Sequence, residues 1–441
     1  MKPTRILTWH IILLFSFALI IARLGEISNS LILFYLFAKL SFTDTGYFTN
    51  NLSLGFIDQF LSITLLILVT SLVILKRNKW KMLSNKAGLP LSLAIVFVLI
   101  IIYGAIVAPF NPSLQFNLSI AKNLPPVSVK TLATNSGSNS KQSNPISEFA
   151  ELKKTVMREV VDDDYYLIDD SEAAQQLSNG TSRRQNSQYS EVYFLLGTDE
   201  YGRDVFSRLI YATRLSVFIG IGAVIVTLIF GVLLGFLAGY YSKSAGKILN
   251  SFTDMFLAFP AIFLVILFLS LYGNSLFNVI FVIGFASWMS LFKIVRGEVI
   301  SIKSKNFIIT SHQLGMNKLA ILRKEIIPFL MPSITVNVIF QFANIIIAES
   351  SLSFLGLTGN HVYPTLGQMV QEGQSYIKHA WWILLFPSLA IVLILFLANK
   401  VARKLQLKFS GHKFFTDCKH RQKYKVVSDF KFFVIHKKPF S

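Results

Sequence analysis

The chain has 441 residues, of which 53% are hydrophobic and only 15% are charged, and its mean hydropathy is +0.55. Soluble domains carry about 25% charged residues, so the composition argues against a water-soluble protein and predicts that lipid surrounds much of the chain. The formal net charge is +19, but no nucleic-acid-binding module is recognisable. The basic residues lie mainly beside apolar segments, which indicates membrane orientation rather than nucleic-acid binding.

Metal and thiol chemistry have little support in the sequence. Cys418 is the single cysteine, so no internal disulfide can form, and the seven histidines show no H-x-x-x-H spacing. We therefore expect no metal site. Acidic, basic and nucleophilic residues do not fall at a spacing that commits them to catalysis, so we also expect no catalytic residue on this chain.

Apolar segments that could cross a bilayer, which takes about 20 mostly apolar residues, occur eight times. They lie at residues 6–23, 57–75, 89–109, 214–241, 256–273, 276–292, 332–349 and 381–399. A shorter apolar run over 31–42 is interrupted by Lys39, and we expect it to be interfacial or buried. The first segment lacks a small-residue cleavage site, which favours a retained anchor. The predicted fold class is all-α, a polytopic membrane protein.

The lysines and arginines between these segments predict the orientation, because cytoplasmic loops carry an excess of both. With the N-terminus inside, 28 of the 42 fall in the inside segments, which are residues 1–5, 76–88, 242–255, 293–331 and 400–441. Most of the others lie in one long outside loop, to which the rule does not apply. Both termini are therefore predicted to be cytoplasmic.

The long outside loop covers residues 110–213. Residues 124–147 are rich in Ser, Asn and Pro, a composition typical of flexible linkers. Two acidic runs follow, at residues 162–164 and 169–170. Like-charge runs favour a solvated acidic surface over a small folded element, which is the alternative.

The end of this loop, residues 197–208, reads Gly-Thr-Asp-Glu-Tyr-Gly-Arg-Asp-Val-Phe-Ser-Arg. Asp199 and Arg203, and likewise Asp204 and Arg208, are four residues apart. On a helix the members of each pair would be neighbours and would neutralise each other. Apolar residues supply another side, so the spacing predicts an amphipathic helix at the outer membrane surface.

This string closely resembles the signature of the C-type permease subunits of dipeptide and oligopeptide ABC importers, which nickel importers share. Similar strings follow in the family's order at residues 108–112, 258–260 and 348–357, so the resemblance covers about residues 89–407, except for the loop insertion. It implies a six-helix permease core with about two extra N-terminal transmembrane helices. The signature residues are Gly197, Thr198, Asp199, Gly202, Arg203, Asp204 and Arg208.

The resemblance also implies a domain organisation. The segments are 1–88, an N-terminal extension with two transmembrane helices; 89–109, the first core helix; 110–196, an extracytoplasmic insertion; 197–407, the other five core helices with the coupling loop 293–331; and 408–441, a basic cytoplasmic tail.

The partners implied by the resemblance are a second, homologous permease subunit, two ATP-binding subunits and an extracytoplasmic solute-binding protein. No G-x-x-x-x-G-K-[ST] motif occurs in the chain. ATP and Mg²⁺ are therefore expected on the partner ATPases, and this chain is expected to hold no cofactor. The function implied is translocation of peptides or similar small solutes across the bacterial cytoplasmic membrane.

The inside loop 293–331 is the second segment of interest. Gly315 accepts backbone angles that other residues avoid, and the apolar and basic residues around it predict two short helices with a bend, ended by Pro328. The resemblance implies that this loop docks in a groove of the ATPase. The family's Glu-Ala-Ala positions read Ile-Thr-Ser here, and a glutamate replaces the usual histidine. The candidate coupling residues are Ile309, Thr310, Ser311, Leu314, Gly315, Leu319, Leu322, Glu325, Ile326 and Pro328. The alternative is an ordinary basic cytoplasmic loop.

Polar residues line one face of the seventh apolar segment. Asn337, Gln341 and Asn344 fall at i, i+4 and i+7 of a helix, and Glu349 follows. Polar groups in lipid are costly, so this face should point at protein or water. A solute path and hydrogen bonding between permease subunits explain it equally well.

Two other function classes would act without an ATPase partner. A secondary transporter should show repeated halves and broken spans, and no clear repeat occurs. A membrane enzyme would need converging acid, base or metal groups. Glu349, Glu372 and His379 lie near the predicted outer surface, but their spacing commits them to no reaction.

Overall fold

A computed structural model describes residues 8–43, 54–75, 89–135, 149, 152–153, 165–168, 187–240, 243–359 and 363–410. The described residues are mostly helical, which confirms the predicted polytopic all-α class, with one small sheet in addition. The basic tail from residue 411 onward, with Cys418, lies outside the described residues. The chain forms two compact units: Met1–Val226 with Phe259–Ala286 and Asn344–Leu397, and Thr227–Ala258 with Ser287–Ala343 and Ala398–Ser441.

The helices follow the apolar segments of the sequence. In chain order they are α1 (Thr8–Ala22), α2 (Leu24–Thr43), α3 (Leu54–Leu75), α4 (Leu89–Ile102), α5 (Gly104–Val107), α6 (Leu118–Ala121), α7 (Val205–Tyr240), α8 (Lys243–Leu257), α9 (Ala261–Tyr272), α10 (Leu276–Lys303), α11 (Asn306–Gln313), α12 (Lys318–Ile321), α13 (Ile327–Phe354), α14 (Leu366–Gln374) and α15 (Trp381–Ser410). A π-helical turn, Leu322–Ile326, joins α12 to α13.

Five helices among the described residues are long and apolar enough to cross a membrane. They are Phe56–Leu75, Val205–Tyr240, Leu276–Lys303, Leu322–Phe354 and Trp381–Leu407. Two bent pairs qualify only jointly, so the number rises to seven if each pair is one span: Ile12–Ala22 with Leu24–Leu40, and Gly246–Leu257 with Ala261–Tyr272. The apolar run over 31–42 thus belongs to a helix that continues from the first apolar segment after a 77° bend.

The structure divides the apolar segment 89–109 into α4 and α5. Tyr103 separates them with φ −92° and ψ 15°, and its side chain is buried against Ile12, Ile63 and Leu66 of the N-terminal helices. Ser62 donates a hydrogen bond to the carbonyl of Ile102 at 3.1 Å, directly before the break. The break therefore gives α3 a polar contact with the core in addition to apolar packing.

An ion pair connects the N-terminal extension to α7. Arg214 donates from Nη1 to Oδ2 of Asp58 at 2.6 Å and from Nη2 to Oδ1, and both residues lie in candidate spans. A Cβ atom on Gly104 would lie 2.5 Å from Cδ of Arg214, so the glycine leaves room for the guanidinium arm. Charged groups in a membrane are costly unless paired, and the bidentate geometry satisfies both partners.

The long loop over residues 110–213 contains a three-stranded antiparallel sheet. Strands β1 (Ser128–Asn135), β2 (Tyr165–Ile168) and β3 (Ser187–Phe194) lie in the order β2-β1-β3, with Thr131 opposite Ile168 and Val129 opposite Tyr193. One face is buried and contributes Leu132, Leu167, Val192 and Phe194 to a cluster that includes Phe116. The insertion therefore contains a folded element, and the favoured expectation of a purely solvated acidic surface is wrong for these strands. The acidic runs at 162–164 and 169–170 lie outside the described residues.

In the second unit, α7 and α10 approach closely. A Cβ atom on Gly235 would lie 2.8 Å from the carbonyl oxygen of Phe292, and one on Gly239 would lie 2.8 Å from Cβ of Val299. Small residues permit this contact between apolar helices. The core of the unit lies beside it and contains Leu291, Val295, Val299, Ile302, Ile308, Ile321, Ile326, Leu330 and Ile334.

Candidate functional site

The signature segment forms a closed loop and then a helix, not the continuous helix that its charge spacing predicts. Thr198 and Asp204 pair as an isolated antiparallel bridge, and α7 begins at Val205. Gly197 and Gly202 have φ values of 77° and 68°, in the left-handed region that interrupts a right-handed helix. The predicted amphipathic helix is therefore wrong for residues 197–204.

Asp199 organises this loop. Its Oδ1 accepts hydrogen bonds from the backbone N–H groups of Tyr201 and Arg203, both at 2.9 Å, which is an aspartate turn. Its Oδ2 accepts from Nε of Arg203 at 2.7 Å and from Nη1 of Arg208 at 2.5 Å. The predicted Asp199–Arg203 pair therefore forms, but in a turn instead of a helix.

Arg208 connects the loop to a distant part of the chain. Its Nη2 donates to Oε2 of Glu372 in α14 at 2.7 Å, and Nη2 of Arg203 reaches the same oxygen at 3.3 Å. Asp199 and Arg208 are 3% and 2% exposed. The predicted Asp204–Arg208 pair is wrong because Arg208 turns to Asp199 and Glu372. Sequence reasoning did not assign Glu372 to this site, since no local spacing signals a partner 164 residues away.

Asp204 instead caps α7. Its Oδ2 accepts a hydrogen bond from the backbone N–H of Ser207 at 2.8 Å, the usual role of aspartate at a helix N-terminus. The side chain is buried, and burial raises the pKa of Asp204 from 3.8 to about 6. Burial also raises the pKa of the neighbouring Glu200.

Thr198 and Gly197 fix the loop to its surroundings. The Thr198 hydroxyl donates to the carbonyl of Ala121 and accepts from the backbone N–H of Leu124 at 2.8 Å. Nε1 of Trp382 donates to the Thr198 carbonyl at 3.1 Å, and a Cβ atom on Gly197 would lie 2.9 Å from that nitrogen. We call Gly197, Thr198, Asp199, Gly202, Arg203, Asp204, Arg208 and Glu372 the outer node.

The second candidate site is the loop between α10 and α13. Helices α11 and α12 lie on either side of Gly315, whose φ is 76°, so the two predicted short helices and the bend are present. We call residues 306–326 the elbow. The prediction that Pro328 ends the helical run is wrong: Pro328 is the second residue of α13, which continues directly from the π-helical turn Leu322–Ile326.

The elbow has an exposed tip and a buried base. Leu314 is 77% exposed and Ile309 is 47% exposed. Ile308, Ile321 and Ile326 are buried in the core of the second unit, and Leu322 packs against it. Ser311 donates to Oε1 of Glu325 at 2.7 Å across the bend. The side chain of Leu319 lies outside the described residues.

The four polar residues predicted on α13 have different surroundings. Asn337 donates to the carbonyl of Ser333 on its own helix at 2.9 Å. Gln341 accepts from Ser290 of α10 at 3.4 Å, and the Asn344 side chain is exposed. Glu349 is fully buried and accepts from Ser353 at 2.8 Å and Ser350 at 3.4 Å.

Metal ligands do not cluster in the described part of the chain, where no three His, Cys, Asp or Glu side chains are placed to hold an ion together. The two arrangements are therefore a charged, hydrogen-bonded node and an apolar-tipped elbow.

Known proteins resemble this chain closely. Residues 231–410 match the family described as "Binding-protein-dependent transport system inner membrane component". The dipeptide transport system permease protein DppC of Alkalihalophilus pseudofirmus is 34% identical over 225 residues, 51% of this chain and 73% of that protein. The di/tripeptide transport system permease protein DppC of Pseudomonas aeruginosa is 34% identical over 209 residues, 47% and 69% of the two chains. The oligopeptide transport system permease protein OppC of Haemophilus influenzae is 31% identical over 216 residues, 49% and 70%.

A solved structure titled "Inward facing conformations of the MetNI methionine ABC transporter" aligns with 45% of this chain and 95% of its own, at a TM-score of 0.37 and 15% identity. The sequence relatives are more informative, because they exceed 30% identity and this chain covers more than two thirds of each. The predicted resemblance is thereby confirmed. The chain is a multi-pass protein of the inner membrane and belongs to the family of binding-protein-dependent transport system inner membrane components.

Proposed function

We propose that this chain is a permease subunit of an ABC importer and that it moves peptides or similar small solutes across the bacterial inner membrane. The observation that carries the proposal is the elbow, which presents apolar side chains to solvent at a bend within a permease sequence. The solute class rests on the relatives, which are named for dipeptide, di/tripeptide and oligopeptide transport.

The elbow has the features of a docking element. Leu314 is 77% exposed at the tip, and an apolar side chain exposed on a short helical element is typical of docking into a groove of a partner. Ile308 and Ile326 anchor the base in the core. A displacement of the tip by the partner would therefore be transmitted to α10 and α13 through these packed side chains.

The partners follow from this role. A second, homologous permease subunit completes the membrane channel, two ATPase subunits hold ATP and Mg²⁺, and an extracytoplasmic binding protein delivers the solute. The elbow and both termini are cytoplasmic, consistent with their lysines and arginines. This chain supplies no catalytic group and no cofactor of its own.

Coupling then follows from differential binding. ATP closes the ATPase pair, the elbow moves with it, and the spans switch from an inward-open to an outward-open path. Energy enters only through the difference in binding free energy between the two states. The candidate solute-path residues are Asn337, Gln341, Asn344 and Glu349. Asn344 is the strongest of them, because its side chain is exposed and carries the hydrogen-bonding groups a peptide amide needs.

Site-specific cross-linking tests the docking step. Leu314→Cys, in a Cys418→Ser background, should form a cross-link with the ATPase subunit. Leu393→Cys is the matched control, because it is also exposed and apolar, at 41%, but lies within the candidate span Trp381–Leu407. A cross-link at 393 but not at 314 would contradict the assigned role of the elbow.

Gly315→Val tests the coupling step. The φ of 76° is strained for a β-branched residue, whereas no atom lies within 4 Å of the added Cβ, so the substitution acts on the backbone and not on packing. We expect ATP hydrolysis to continue while uptake falls. Gly297→Val is the control, because its Cβ would also meet open space in a regular helix. Unchanged uptake by Gly315→Val would count against coupling through this bend.

A further inference from the structure

A hydrogen bond crosses the bend beneath the exposed tip of the elbow. Oγ of Ser311, near the end of α11, donates to Oε1 of Glu325 at 2.7 Å, although the residues are 14 positions apart. Ser311 is 9% exposed. The bond therefore joins the arm before Gly315 to the arm after it, in addition to the apolar contacts at the base.

Glu325 lies in the π-helical turn Leu322–Ile326. Such turns are rare, because they widen the helix by one residue, and they occur often at functional sites. The turn is anchored by Ile326, which is fully buried among Val299, Ile302 and Ile308. The π-helical turn thus holds Glu325 beside α11, although a regular α-helical turn would be lower in energy.

The second carboxylate oxygen of Glu325 also indicates that this residue has a functional role. Oε2 is buried and has no hydrogen-bond partner among the described residues. An unsatisfied buried polar atom is costly, so packing and stability alone would favour an apolar residue at this position. A functional requirement for the hydrogen bond that Oε1 accepts from Ser311 explains why a glutamate occupies this position.

We propose that Ser311 and Glu325 form a latch that makes the two arms of the elbow move as one body. Both are positioning residues: they act through the tip at Leu314 and not by touching solute or nucleotide. The inference rests on the proposed function of the elbow in coupling. Without the latch the tip could tilt about Gly315, and motion of the ATPase would be lost at the bend.

The test uses the complete transporter in proteoliposomes and measures the amount of a labelled dipeptide accumulated per ATP hydrolysed. Ser311→Ala should lower this ratio by about tenfold, the change that corresponds to losing one hydrogen bond to a charged group. Ser311→Thr keeps a hydroxyl at the same carbon and should restore most of the ratio. Ser270→Ala is the matched control, because Ser270 lies in α9 outside the elbow, is exposed, and donates its hydroxyl hydrogen bond to the Ile266 carbonyl of its own helix, at 2.8 Å.

A second pair of variants separates the latch from simple stability. Ser311→Ala leaves the half-buried carboxylate of Glu325 unpaired, whereas Ser311→Ala with Glu325→Leu removes both polar groups. The double variant should therefore unfold at a higher temperature than Ser311→Ala alone and still transport at the same low ratio. Recovery of the ratio along with stability would overturn the latch.

The controls keep the two proposals apart. If the wild-type complex shows no ATP-dependent uptake, the proposed function fails. If the wild type is coupled and Ser311→Ala has the wild-type ratio, the latch alone fails.

Discussion

The outer node and the elbow both depend on glycines in left-handed backbone, yet their surroundings differ completely. A Cβ atom on Gly197 would lie 2.9 Å from Trp382, and one on Gly202 would lie 2.9 Å from the carbonyl oxygen of Phe116, whereas Gly315 has no atom within 4 Å of its Cβ position. The outer glycines permit close packing as well as a turn. The elbow glycine permits only the turn, and the tip beside it is left exposed.

This difference indicates what each region does. In the outer node, Arg208 bonds both Asp199 and Glu372, so these charges are paired within the chain and fix its local shape, whereas Oδ1 of Asp204 and Nε of Arg208 are buried without a hydrogen-bond partner among the described residues. The elbow leaves Leu314 exposed to solvent, and this is the side chain that we propose docks on the ATPase. Variants of the node should therefore damage folding, and variants of the elbow should damage coupling.

The largest expected effect is that of Arg208→Ala. It removes the buried cation that bonds both Asp199 and Glu372 and leaves only the more exposed Arg203 beside them, which costs about 3–5 kcal/mol. We expect little protein in the membrane and a much lower unfolding temperature in detergent. Arg203→Ala should be milder, because Arg203 is more exposed than Arg208, at 17% against 2%. If Arg208→Ala unfolded at the same temperature as the wild type, the outer node would not be the region that stabilises the fold.

The next effect is a pH dependence of the node. Because the pKa of Asp204 rises from 3.8 to about 6 on folding, the folded chain binds a proton between these values that the unfolded chain lacks. Stability should therefore fall as pH rises from about 4 to 6, by up to about 3 kcal/mol. Thermal unfolding across this range measures it. Asp204→Asn, which can still accept the capping bond, should remove this component, and an unchanged pH profile would refute it.

A smaller and more discriminating effect separates the two kinds of glycine. Gly315→Ala should lose only the backbone preference, about 1 kcal/mol. Gly197→Ala loses that and also meets Trp382, which adds about 1–3 kcal/mol. Unfolding temperatures of both variants, measured with Gly297→Ala as the control, check the order. If Gly315→Ala were the less stable of the two, the node would not be the rigid region.

Local signals in the sequence predicted the features that depend on neighbours along the chain. Apolar length predicted most of the spans, although the segment 89–109 is divided into two helices and is not among the candidate spans, and Gly315 predicted the bend. The sequence predicted which residues of 197–208 belong to the outer node. It did not predict how their charges pair, because Arg208 pairs with Glu372, 164 residues away. The sheet was missed because the four-residue strand β2 pairs with β1 across a long stretch of chain, which no local pattern reveals. The helix break at Tyr103 was not predicted, because no proline lies there to indicate it.

The most direct test of the account is uptake into proteoliposomes. Vesicles that contain this chain, its permease partner and the ATPase subunits should accumulate a labelled dipeptide against its gradient when the binding protein and ATP are supplied, and should stop when ATP is withheld. Uphill accumulation by vesicles that contain only this chain, with no nucleotide present, would contradict the account.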